Sequence, residues 1–255
     1  MVHLLAFNNK EITKENILKY EFELLKGPTD FEIDFDCDAL LDVSDDKRFS
    51  GNSLIVHEKH GAFLVEETTK ELVNKFYKNN IVGFALSKVL ANFFSLKHYV
   101  PFVFMYVVYM PISGGTRKNT DWIGLHLMNS CRQNKKEAYF ITTQGFIIKV
   151  TFPKGDLDRR VHDACVLCEK CVAIFLPPII AGGVDVQGCS FTGLVVKFGN
   201  CHCPLHDKVK CDNDPKIIGL MFINFIIDHL GIESVNPEEE KKHYRRFLSR
   251  LKKHY

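Results

Sequence analysis

The chain has 255 residues, 46% of them hydrophobic and 25% charged, with a formal net charge of +2. That length leaves room for one large domain or two small ones around a real core, and the composition excludes a disordered tail. The charge is unevenly spread: residues 30–46 hold eight acidic side chains and no basic one, and residues 241–255 hold seven Lys or Arg and no acidic one. Such an acidic head and basic tail point to partner surfaces at two places, or to two solvated faces.

The N-terminal segment has no basic flank and too short an apolar run for a signal peptide. No run of about 18 apolar residues stands out; the longest, Phe102–Met110 and Ile217–Ile227, are too short to span a bilayer. The expectation is an intracellular protein with no membrane partner and with reduced cysteines.

Thr13-Lys14-Glu15-Asn16 predicts the start of a short helix, broken by Gly27-Pro28. Phe31, Ile33 and Phe35 alternate with Glu32, Asp34 and Asp36, the pattern of a strand with one wet face. Ser53–His57 and Ala62–Glu66 predict a hairpin around His60-Gly61. Thr68-Thr69-Lys70-Glu71 is a capping box opening a helix, and a second helix follows over 84–96. Residues 101–110 read as one continuous buried strand, and 138–142 with 146–152 as a hairpin around Thr143-Gln144-Gly145. Pro177-Pro178 and Gly182-Gly183 punctuate the next stretch, before a short strand at 194–198. Asp214-Pro215 opens a helix that is apolar on every face to Leu230. Asn236-Pro237 opens a last, amphipathic one, with three glutamates in its first turn.

Seven of the nine cysteines fall between Cys165 and Cys211. Cys165, Cys168 and Cys171 supply one half of a metal-ligand set, and Cys201, Cys203, His206 and Cys211 the other, with Cys189 and His162 in reserve. Zinc takes about four soft ligands in a tetrahedron, commonly as two close pairs from separate elements. The competing reading is that some of these thiols pack as small hydrophobes. Other constellations carry less chemistry. His57-Glu58-Lys59-His60 has a spacing of three where a zinc-protease helix needs four, and Gly61 breaks the helix. His126 and Cys131 lack the orienting partner of a thiol-protease dyad, and Gly114-Gly115 lacks the rest of a phosphate loop.

The order of features resembles the adenoviral early region four 34-kilodalton protein family. The resemblance is carried by Gly51-Asn52-Ser53-Leu54-Ile55, by Glu66–Leu72, and by Trp122-Ile123-Gly124-Leu125-His126 followed by Cys131. Pro177–Gly183, Cys189, Leu194-Val195-Val196, Cys201-His202-Cys203 and Cys211 continue it, and Phe247–His254 is similar to the family's basic C-terminal helix. The sequence departs from the family pattern in two places. Only Cys37 and Cys131 precede Cys165, and the basic face sits at Arg245–Lys253 instead of directly after the cysteines.

The resemblance implies a viral early regulatory protein that acts as a substrate adaptor. Such a protein binds host elongin B and C, recruits a cullin and works with a second early viral protein. The assembly degrades host restriction factors and favours late viral mRNA export, in the host nucleus and also in the cytoplasm. It also implies a non-catalytic protein, since the ligase chemistry belongs to the recruited RING subunit. Leu167, Cys171 and Phe175, at i, i+4 and i+8, have the spacing of an elongin-binding helix stripe. The alternative is a zinc-stabilised nucleic-acid-binding or mRNA-export factor that uses Arg245, Arg246, Arg250, Lys252 and Lys253, possible RNA contacts on a basic helix. The expected architecture is thus α+β: a single compact zinc-stabilised domain over 1–235, with its cysteine-rich segment at 162–211, and a basic helix at 236–255.

Overall fold

Apolar runs at Leu54–Val56 and Ala62–Val65 flank a short polar turn closed by Gly61, whose φ of +74° needs no Cβ. They form the hairpin of β3 (Ser53–His57) and β4 (Gly61–Val65) in a computed structural model that describes residues 11–19, 27–96, 98–114, 119–184, 193–198 and 201–211. The chain divides into two units, Met1–His202 and Cys203–Tyr255. In the second unit only 203–211 are described, so both expected C-terminal helices and the basic residues Arg245, Arg246, Arg250, Lys252 and Lys253 lie outside the described residues.

The first unit combines two sheets with helices, an α+β arrangement. The larger sheet is antiparallel throughout, in the order β4-β3-β2-β7-β6-β5, with β2 at Cys37–Asp42, β5 at Phe102–Phe104, β6 at Val107–Pro111 and β7 at Trp122–Gly124. The smaller sheet runs β1-β10-β9-β8. Its meander comprises β8 (Met128–Asn134), β9 (Glu137–Thr142) and β10 (Ile147–Thr151), and β1 (Glu11–Ile12) adds to β10 in parallel.

The helices start where their caps require. Thr13 accepts from Asn16 N at the start of α1 (Lys14–Leu18). The reciprocal Thr68–Glu71 box opens α2 (Thr69–Asn79), and α3 (Ile81–Phe93) follows directly. Leu72, Val73, Phe76 and Tyr77 of α2 pack with Leu40, Ile55, Phe63, Phe102, Tyr109 and Trp122 of the large sheet. Within this core Phe76 meets Phe102 edge-on at 4.6 Å between centroids.

Four sequence expectations change. Phe31 and Ile33 are buried in this same core, but their segment pairs with no strand among the described residues. Instead, Tyr109 Oη donates to the Asp34 carbonyl, and the Phe35 carbonyl lies 2.8 Å from His126 Nε2. Residues 101–110 are a hairpin rather than one strand: the chain turns at Met105, which sits at φ +51°. Residues 194–197 are helical (α5, Leu194–Lys197), and pair with no strand among the described residues. Residues 157–181 form one long helix, α4 (Leu157–Ala181), through the stretch whose cysteines were expected to be metal ligands.

Helix α4 passes through Pro177-Pro178 and ends in a Schellman arrangement. Gly183 N donates to Ile180 O and Val184 N to Ile179 O, with Gly183 at φ +82°. It packs against β5, β6, β8, α3 and α5. Contrary to the sequence expectation, it is long and apolar enough to cross a membrane by length and composition, although 53% of its most apolar window is buried inside the fold.

Candidate metal centre

Each pair of candidate ligands is set by its own element. In the first unit, His162 lies one turn into α4, and its Nε2 is 3.7 Å from Cys201 Sγ. The ring is held edge-on by Phe198 at 5.3 Å. The Asp163 carboxylate lies 3.6 Å from the other ring nitrogen, Nδ1. Burial raises the pKa of Asp163, and the neighbouring His162 partly offsets that. An acid behind the distal nitrogen is the usual means of fixing a ligating imidazole.

In the second unit, Pro204 opens α6 (Pro204–Cys211), where its missing N–H costs nothing. Cys203 stands just before it, and its carbonyl accepts from Asp207 N at 2.9 Å. One turn on, His206 is fully buried, with Nδ1 3.3 Å from Cys203 Sγ. Only His202 separates Cys201 from Cys203 along the chain, so the two thiol–imidazole pairs are covalently adjacent. His162, Cys201, Cys203 and His206 form a cluster that could hold a metal ion.

The structure therefore gathers Cys201, Cys203 and His206 from the expected set and brings in His162. Cys165, Cys168 and Cys171 are not part of the cluster. They lie three residues apart on α4, fully buried, and bond to backbone. Cys165 donates to Leu194 O at 3.6 Å and Cys168 to Met105 O at 3.1 Å, while Cys171 Sγ accepts from Met105 N at 3.1 Å. Burial pushes the Cys171 thiol up to about 12 and raises Cys165 and Cys168 further, as expected of thiols packed in an apolar core. The side chain of Cys211 and the whole of Cys189 lie outside the described residues. A signal for His162 was present in the sequence: it opens the cysteine-rich stretch and is followed by an acid.

The proposed elongin stripe also changes. Leu167 and Cys171 are fully buried in the fold, and Phe175 packs edge-on against Phe104 at 6.0 Å. Leu167 and Cys171, already filling this core, cannot also enter a partner's groove.

A second group that could hold a metal is Asp34, Asp36 and His57. Here the hydrogen bonds favour a different role. His57 Nδ1 accepts from Lys59 N at 3.1 Å and from His60 N at 3.3 Å, which leaves the ring proton on Nε2, facing Asp34 at 3.1 Å. A metal on Nε2 would require a proton on Nδ1, opposite two donors. His57-Glu58-Lys59-His60 forms a strand end and turn, not a helix. His126 and Cys131 form no dyad: both His126 nitrogens face backbone groups of Val108 and Phe35, and burial pushes the Cys131 thiol up to about 11.

No family model, curated protein or solved structure matches this chain.

Proposed function

We propose that this protein is a metal-stabilised interaction protein in which His162, Cys201, Cys203 and His206 bind one structural zinc. The observation that carries the reading is the pair of thiol–imidazole separations, 3.7 and 3.3 Å. Tetrahedral zinc with bonds of about 2.0–2.3 Å spaces its ligand atoms by roughly 3.3–3.8 Å. Four protein ligands fill such a site and leave no open position for a substrate or an activated water, which favours a structural over a catalytic metal. The metal would supply folding energy on binding its four ligands. Purified protein is expected to carry about one zinc per chain by elemental analysis, and Cys201→Ser with Cys203→Ser to lose it. Full occupancy in that double variant overturns the ligand assignment.

The finer reading is a viral adaptor that brings a host cullin–elongin ubiquitin ligase to host restriction factors. It rests on the resemblance of the sequence features, and a zinc-stabilised non-enzyme suits it. The buried Leu167 and Cys171 mean that any elongin contact would use a surface other than that stripe. Affinity purification of the tagged chain from host cells, with mass spectrometry, is expected to recover elongins and a cullin. Recovery of neither removes the adaptor reading, leaves the metal centre standing, and favours the nucleic-acid alternative built on residues 241–253.

A further inference from the structure

Asp38 is the extra residue of a β-bulge. Cys37 pairs with His57 and Ala39 with Val56, so Asp38 has no opposite number on β3. Bulges re-aim side chains, commonly beside functional sites. Asp38 is only 3% exposed, yet among the described residues no hydrogen bond or ion pair reaches its carboxyl group. A buried carboxyl group without a partner is costly and calls for a compensating group. Its charged neighbours are acidic: Glu58 and Asp36 both act on it.

The rim is acidic and carries one exposed aromatic ring. Asp34, which acts with Asp36 and Asp38 on the neighbouring Cys37, is exposed, and Phe35 is 58% exposed, with its ring stacked on His126. One cation is already present. Lys59 Nζ pairs with Asp36 at 2.5 Å and lies 5.8 Å from the Phe35 ring centroid. Lys59 thus shows that a cation can use a carboxylate and this ring face together, and Asp38 has no such partner.

We propose that Asp38, Glu58 and Phe35 form a docking site for an arginine-rich segment of a partner protein, with a guanidinium reaching Asp38. A lone metal ion fits less well, because Asp38 belongs to neither group of side chains close enough to share one. A guanidinium spreads five donors over a plane, is weakly hydrated and stacks on aromatic faces, which suits separated carboxylates beside an exposed phenyl ring. Nucleic acid is disfavoured, since its phosphates would meet the run of eight acidic residues at 30–46. That run would instead steer a basic chain towards the site.

The test is titration of the full chain with labelled octa-arginine at pH 7, followed by anisotropy and by calorimetry in buffers of different ionisation enthalpy. Burial and the acidic neighbours hold the Asp38 carboxyl up at about 8, so pairing it with a guanidinium should release a proton. We expect saturable binding with proton release. Asp38→Asn should abolish the release and weaken binding about tenfold, and the exposed-ring variant Phe35→Ser should also weaken it. An Asp158→Asn control, at an exposed position on α4 outside the acidic run, should leave binding unchanged. The proposal is overturned if the peptide does not bind, if it binds Asp38→Asn as tightly as the wild type, or if Asp158→Asn weakens it equally, which would mark diffuse charge attraction only. Glu58→Gln, at a partly exposed position, repeats the test should Asp38→Asn fail to fold.

Discussion

Asp38 holds a proton in the folded chain that the unfolded chain releases above about pH 4. Its carboxyl is raised from 3.8 to about 8, first by burial and then by Glu58 and Asp36. A folded-state pKa above the unfolded value means that stability falls as pH rises from the lower value to the higher. Denaturant melts of wild type and Asp38→Asn are therefore expected to coincide near pH 4 and to separate towards pH 8, with Asn the more stable. Parallel profiles across that window would show that Asp38 ionises without penalty. At this same scale the cysteines explain what a sequence leaves open. Cysteine is both a soft metal ligand and a small hydrophobe, and a spacing of three fits a knuckle as well as a helix face. Buried Val166, Leu167 and Val172 decide the matter for Cys165, Cys168 and Cys171 by making that stretch a core helix.

Helix α4 has separate tasks at different turns. Its first turns present His162, while Cys168 and Cys171 hold both backbone groups of Met105, the left-handed turn residue of the β5–β6 hairpin. A residue with a side chain at such a φ costs about 1–2 kcal/mol, which the two sulfur contacts help to offset. Cys168→Ala and Cys171→Ala are each expected to cost about 1–2 kcal/mol in denaturant unfolding and to leave bound zinc at the wild-type level. Zinc loss in either variant would restore those thiols as ligands. Elements with local signals were legible: the Thr68–Glu71 box and the Gly61 and Gly145 turns. The Met105 turn was not, because no Gly, Asn or Pro marks it. Nor was α4, since Pro177-Pro178 reads as a stop, yet the helix runs on to Ala181 with the two proline N–H bonds missing.

Across the molecule, long-range pairing was the least legible feature. An α+β class followed from mixed periods, but nothing local specifies that β2 lies between β3 and β7, or that β1 closes the small sheet against β10. The candidate site was legible in part for the same reason. Cys201, Cys203 and His206 are neighbours in the chain, whereas His162 joins them only through the fold. Folding the large sheet brings residues 36–38 and 57–58 together, which turns a charge run into a site with a bulge, a buried acid and an exposed ring.

The β1–β10 pairing bears on how the protein is made. Glu11 aligns with Ile147 and Ile12 with Ile148, with over a hundred residues of chain between them. At ribosomal rates of about 5–20 residues per second, the first strand waits on the order of ten seconds for its partner to be synthesised. The β3–β4 hairpin can close within microseconds of emerging. The nascent chain therefore carries its first strand unpaired until more than half of its length has been made.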